Sequence, residues 1–273
     1  HHWGARAQRG QTIEVTVKDG GVTPSGQRVR KLIGADAAGR VGLSGRMDAA
    51  LSDLDPAQRV RLAIAMARED QPALILLDSP GLELGLEPRL ELLPQLQPML
   101  AQLPSVVLLA GAPDEALGLA GQVVVLSAGQ VAQSAPAQQV FLHPANLAVA
   151  QATSQPSLNL LPMQARQGAG MLSDGAVFQP PAGLKLPPAG PCTLAFRPQD
   201  ASLARAGPSC LRFVVRVSGT QQAAAQRYLQ ASFAGSLWLL PHPPSAPPPG
   251  SLLNLFVDPS RLLVFDVAGQ AVS

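Results

Sequence analysis

Two textures of hydrophobic patterning divide this chain. In the first, short uninterrupted apolar runs alternate with stretches in which apolar residues recur every two to four positions. Residues 73–77 and 105–109 are continuous runs of strand length, the pattern of parallel strands buried on both faces. Residues 55–68 place Val60, Leu62, Ile64 and Met66 among alanines, with Asp55 as a cap and Pro56 at a first helical position. They predict a helix feeding the first run. Between the runs, residues 87–102 are leucine-rich at roughly helical spacing. Pro94 and Pro98 are expected to kink or interrupt that helix, because each removes a backbone donor. Runs alternating with helices imply βαβ units and an α/β fold with parallel strands.

The second texture begins with a hairpin. Residues 123–126 and 131–133 flank Ser127-Ala128-Gly129-Gln130, with glycine available for positive φ. From Pro156 onward, short apolar pieces at 192–196, 211–217, 237–240 and 252–256 are separated by Gly and Pro clusters. Such punctuation predicts a small barrel or sandwich. The proline-rich segment 242–249 cannot pair in a ladder and is expected to be an extended loop. The change of texture lies at 151–158, so the expected domains are 1–157 and 158–273.

Composition narrows the function classes. The chain has 273 residues and 47% apolar content, enough to bury the cores of two ordinary domains. Net charge is +2 with 14% charged residues, and Lys18, Lys31 and Lys185 are the only lysines. No basic stripe is available for a phosphate backbone, so nucleic acid is not an expected partner. Cys192 and Cys210 have neither disulfide-scaffold nor zinc-site spacing. No apolar run is long enough to cross a bilayer. The chain opens His1-His2-Trp3 without a methionine, which suggests a fragment or a processed form.

Several motifs are similar to those of one family. Gly129-Gln130-Val131-Ala132-Gln133, then Val140-Phe141-Leu142-His143-Pro144-Ala145-Asn146 with Val149-Ala150, and then Asn159-Leu160-Leu161-Pro162, look like a stretch that joins a nucleotide-binding domain to a C-terminal β-domain. Phe196-Arg197-Pro198-Gln199-Asp200 and the ending Leu262-Leu263-Val264-Phe265-Asp266 with Gly269 look like parts of that β-domain. Upstream, Arg46, Leu51-Ser52, Gln58-Arg59-Val60 and Ala63 resemble a helical signature region. Together they resemble the ATPase subunit of a carbohydrate-type ABC importer, the maltose and glycerol-3-phosphate group, over nearly the whole chain.

That resemblance implies a partial P-loop NTPase domain of ABC type, followed by a small OB-like TOBE domain. It implies ATP and Mg²⁺ as cofactors, permease subunits and a second ATPase subunit as partners, and a cytoplasmic location peripheral to the membrane. Asp78, ending the run before Ser79-Pro80, matches the family's magnesium-binding aspartate, and Ser52 matches the signature serine. Ser79 stands where the family has its catalytic glutamate, and Gly111 where it has its switch histidine. The signature reads Leu51-Ser52-Asp53-Leu54-Asp55 in place of Leu-Ser-Gly-Gly-Gln, which adds negative charge beside a phosphate. The phosphate loop ends in Gly-Lys-Ser/Thr, and no Gly-Lys pair occurs in the sequence. Val22-Thr23-Pro24-Ser25-Gly26 matches only the first half of such a loop. The expectation is an N-terminally truncated or degenerate subunit with impaired hydrolysis.

Other readings of the same residues are plainer. Ser79 as a nucleophile lacks a nominated base. His143, His242, Cys192 and Cys210 are scattered without metal-ligand spacing. Arg197 is expected to buttress the β-domain, and Trp238 and Tyr228 to anchor its strands. The alternative function is a non-catalytic regulatory or scaffold module whose β-domain binds a partner or small ligand.

Overall fold

The computed structural model describes residues 3–6, 12–15, 28–69, 74–81, 83–103, 105–205, 207, 209–223 and 226–272. Backbone contacts divide the chain into two compact units, His1–Leu119 and Ala120–Ser273. The composition change at 157/158 lies inside the second unit, between its helices and its β-domain. Val22-Thr23-Pro24-Ser25-Gly26 lies outside the described residues.

The first unit is α/β. Strands β1 (Trp3–Arg6) and β2 (Thr12–Val15) pair antiparallel. Then follow α1 (Ala35–Arg40), α2 (Pro56–Glu69), β3 (Ile75–Asp78), α3 (Leu86–Leu100), β4 (Val106–Leu109) and α4 (Pro113–Leu119). The start of α2 is set as its sequence predicts. The Asp55 carboxylate accepts from the Gln58 amide at 2.7 Å, and the Gln58 side chain accepts from the Asp55 amide at 3.2 Å, a reciprocal box that satisfies two otherwise orphaned donors. Leu62 and Ala65 then pack with Val29, Ile33, Leu43 and Leu54, while Ile64 packs with Leu92 and Leu96 of α3.

Helix α3 runs unbroken through Pro94 and Pro98, so the interruption expected there does not occur. Both prolines are exposed, while Leu92, Leu93 and Leu96 are buried. The carbonyls left without donors belong to Leu90 and Pro94, both exposed residues, so the lost bonds fall on the solvent side. Burial of the leucine face holds the helix together.

Strands β3 and β4 are parallel, with Ile75 opposite Val106 and Asp78 opposite Leu109. Burial on both faces, expected from the continuous apolar runs, is not met. Ile75 is buried, but Leu76, Val107 and Leu109 are 39%, 54% and 60% exposed. Exposure alternates with period 2 because only one face of the pair packs against α2 and α3.

In the second unit, β5 (Gln122–Ser127) and β6 (Gln130–Pro136) form the expected hairpin. Ala128 and Gly129 both have positive φ, +49° and +77°, which matches the right-handed twist of the strands. Helices α5 (Ala137–Leu142) and α6 (Leu147–Ala152) follow, the latter capped by the Asn146 side chain.

The remainder is all-β. It comprises β7 (Asn159–Arg166), β8 (Ala169–Met171), β9 (Val177–Phe178), β10 (Ala189–Phe196), β11 (Ala201–Ser202), β12 (Leu211–Ala223), β13 (Gln226–Phe233), β14 (Ser236–Pro241), β15 (Leu252–Val257) and β16 (Leu263–Asp266). Two five-stranded sheets, ordered β16-β10-β7-β8-β9 and β11-β15-β12-β13-β14, share one core. Each apolar piece predicted as a strand is one, and 242–249 carries no strand.

The sheets are tied at one seam by a side chain. Buried Asn159 of β7 donates to the Leu239 carbonyl of β14 at 2.8 Å and accepts from the Leu239 amide at 2.7 Å. Its amide thus imitates a strand's backbone. Asn159→Ala is expected to destabilise the β-domain by about 2 kcal/mol, because a buried donor and acceptor lose their partners. Asn159→Asp should also destabilise, since the carboxylate cannot donate to Leu239. Urea denaturation of the two variants checks this, and wild-type midpoints for both would refute it.

Candidate functional site

The end of the parallel pair β3–β4 in the first unit gathers most of the candidate residues. Asp78, the last residue of β3, is exposed there and lies opposite Leu109. The chain then turns sharply. Ser79 has φ +44°, an uncommon conformation for a residue with a side chain, and its amide donates to the Leu109 carbonyl at 2.8 Å. Its hydroxyl donates to Asp78 Oδ1 at 3.0 Å.

Two loops, one after each strand, are held together by a buried acid. Glu115, on the first turn of α4, is 0% exposed. Its Oε1 accepts from the Gly81 amide at 2.6 Å and its Oε2 from the Gly111 amide at 2.8 Å. Gly81 is required at its position, since a Cβ there would lie 2.6 Å from both Glu115 Oε1 and Arg89 Cδ. Beside it, Arg89 Nε donates to Asp114 at 2.8 Å, with both side chains largely withdrawn from water. The strand ends therefore meet a preorganised frame: Asp78 and Ser79 on one side, Gly111 on the other, and Glu115 bracing the loops from below.

Sequence reasoning identified Asp78, Ser79 and Gly111 but not Glu115, Arg89 or Gly81 as the frame. The available signal was an acid four residues after Gly111 in the first turn of a helix, close enough in sequence to reach that glycine's amide. Ser52 is not part of this arrangement. It is exposed on a short 3-10 turn, Leu51–Asp53, and its hydroxyl donates to neighbouring Asp53 at 3.1 Å.

Among the described residues, no group of three or more His, Cys, Asp or Glu could hold a metal ion. The fit to Mg²⁺ is correspondingly narrow. Asp78 can serve only as one ligand of an ion whose other positions are filled by phosphates and water. The Ser79 hydroxyl lacks the basicity of a carboxylate and is not itself a general base.

In the second unit, Arg197 is 3% exposed. It donates to the Phe141 carbonyl at 2.7 Å and lies 3.8 Å from the centre of the Phe141 ring, fastening the β-domain to α5. Burial lowers its pKa, and the nearby Asp200 carboxylate opposes that shift. Asp200 itself is raised by burial, against the pull of Arg197 and Arg261. The residue buttresses the fold. His143 is exposed after α5, Cys192 is buried in β10, and neither cysteine forms a disulfide.

No protein-family model matches the sequence. The chain is nevertheless similar over most of its length to the ATP-binding subunits of ABC importers. It is 29% identical over 224 residues to the sn-glycerol-3-phosphate import ATP-binding protein UgpC 3 of Agrobacterium fabrum, covering 80% of this chain and 62% of that protein. It is 30% identical over 237 residues to the sulfate/thiosulfate import ATP-binding protein CysA 2 of Chromobacterium violaceum, covering 86% and 59%. The chain thus spans about three-fifths of the length of these relatives. A crystal structure of an ATP-binding cassette of an ABC transporter in its ADP conformation aligns with TM-score 0.36 and 17% identity, over 40% of this chain and 44% of that one. That overlap is too small to bear on the site. Among the described residues, no helix is long and apolar enough to cross a membrane.

The chain is thus similar to ABC import ATP-binding proteins. Its relatives include subunits named for sn-glycerol-3-phosphate and for sulfate or thiosulfate import.

Proposed function

We propose that this chain acts as the ATP-binding subunit of an ABC importer for sugars or polyol phosphates, and that it is catalytically impaired. The observation that carries the reading is the similarity to UgpC and CysA proteins over 80% and 86% of the chain. In this role it lies on the cytoplasmic face of the membrane against permease subunits and pairs with a second ATPase subunit. Its C-terminal β-domain is read as a TOBE domain. Asp78 supplies one magnesium ligand and Ser52 a contact to nucleotide held by the partner. Impaired hydrolysis is supported by Ser79 and Gly111, which stand where the family has its catalytic glutamate and its switch histidine.

The test is a fluorescent ATP analogue titrated with Mg²⁺, run beside an ATPase assay. A saturable signal that Asp78→Ala abolishes, with no turnover above background, is expected. Absence of any saturable signal would remove the ATP-binding role, and brisk turnover would remove the impairment.

A second reading is favoured by an open cavity of about 510 Å³ in the β-domain, lined in part by Met163, Gln164, Met171, Thr193 and Asp266. Here the β-domain binds a small ligand or regulator and the first unit is a docking scaffold. It is distinguished by a complete lack of response to nucleotide.

A further inference from the structure

Three arginines in the first unit share a groove and, among the described residues, face no carboxylate within ion-pair distance. Helices α1, α2 and α3 enclose two adjoining hollows of about 140 Å³ and 250 Å³. Arg40, Val41, Met99 and Gln102 line both of them, Arg68 lines one and Arg61 the other. Arg28, Arg30, Arg59 and Arg89 each have an Asp or Glu within ion-pair distance. Among the described residues, Arg40, Arg61 and Arg68 have none, although Asp36 and Glu91 lie on the same helices as Arg40 and Gln95.

The partners that two of these arginines do have are neutral. Arg61 Nη1 donates to Gln95 Oε1 at 3.3 Å, and Arg68 Nη1 to Gln102 Oε1 at 2.6 Å. The two arginines are seven residues apart, two turns along α2, so their guanidinium groups lie along one face roughly 10 Å apart; of their glutamine partners, Gln95 lies within α3 and Gln102 just beyond its end. Glutamine oxygens orient these groups without cancelling their charge. Arg61 Nε is buried with no hydrogen-bond partner, a donor left for something else to satisfy. The backbone also makes room for it. Gly42 has φ +68°, and a Cβ there would approach Arg61 Nη1 to 3.3 Å. The floor between the arginines is apolar, formed by Ala37, Val41, Ile64, Ala65 and Met99, which strengthens the field of the charges above it.

We infer that this groove binds a small molecule carrying two anionic groups, phosphate or carboxylate, with Arg40 shared between them and Arg61 and Arg68 each holding one end. Guanidinium forks suit such oxygens, and charge-assisted bonds of this kind are among the stronger ones available. The shared chemistry is a phosphate-type anion, whether free in solution or on a lipid headgroup. The inference does not depend on nucleotide binding at Asp78.

The test is calorimetric titration of the full chain with fructose 1,6-bisphosphate at constant ionic strength, beside sedimentation with vesicles containing phosphatidic acid. Arg40→Ala removes an exposed charge that has no partner and leaves folding intact. Gln102→Glu places a carboxylate against Arg68 and blocks the groove without removing a core contact. Saturable bisphosphate binding that weakens about tenfold or more in both variants supports a free ligand. Vesicle binding without bisphosphate binding, lost in both variants, supports a headgroup. No binding in either arm, or binding that both variants retain, overturns the inference.

Discussion

Trp238→Ala is expected to destabilise the β-domain by about 4 kcal/mol, the cost of emptying a fully buried aromatic site in a close-packed core. Trp238 is 0% exposed and stands at the centre of an aromatic cluster. Its ring lies 5.0 Å from Phe196, 5.4 Å from Phe213 and 4.9 Å from Phe233, centre to centre. Phe196 belongs to one sheet and the other three to the second, so the cluster is where the two layers grip each other. The indole nitrogen also donates to the Leu160 carbonyl at 2.9 Å. Trp238→Phe should therefore cost less than alanine, about 2 kcal/mol, because it keeps most of the ring contacts and loses volume and one hydrogen bond. Chemical denaturation followed by far-UV circular dichroism separates the two. An alanine variant within 1 kcal/mol of wild type, taking about 1 kcal/mol as a typical point-mutation effect, would contradict the packing described.

Glu115→Ala is expected to destabilise the first unit by about 3 kcal/mol, since the buried Gly81 amide and the more exposed Gly111 amide lose a shared carboxylate acceptor at once. Removing the side chain also leaves a gap beneath the loops that follow β3 and β4. Glu115→Gln is the sharper experiment. Its shape is retained, but its single carbonyl oxygen can serve only one of the two amides, and its NH₂ group opposes the other. A loss of about 2 kcal/mol is expected. Thermal unfolding reports the total, and hydrogen exchange at the Gly81 and Gly111 amides reports the local effect. Wild-type stability in the glutamine variant would mean that these two bonds do not hold the loops.

The parts of this fold legible in the sequence are those decided by neighbours in the chain. The Asp55 cap, the Ala128-Gly129 turn and the short strands of the second unit all depend on contacts a few residues long, and each is found where the pattern places it. Pro94 and Pro98 do not interrupt α3, because the lost amides fall on the solvent side while Leu92, Leu93 and Leu96 stay buried. The continuous runs of β3 and β4 looked like two-faced burial, yet hydrophobicity cannot say which face is covered. Glu115 was invisible for another reason: one of its two partners is 34 residues away, and an acid at a helix start is ordinarily read as a cap. The seam formed by Asn159 spans 80 residues and has no local signature at all. Of the candidate site, position along the chain was readable, and the bracing beneath it was not.

The left-handed backbone at Ser79 constrains what any replacement side chain at that position can reach. A side chain at that position sets out toward Asp78, as the present hydroxyl does. A glutamate grafted there would bring a second negative charge against the first, an arrangement that like charges disfavour. Re-aiming the turn, and not the substitution alone, is what such an experiment would have to achieve.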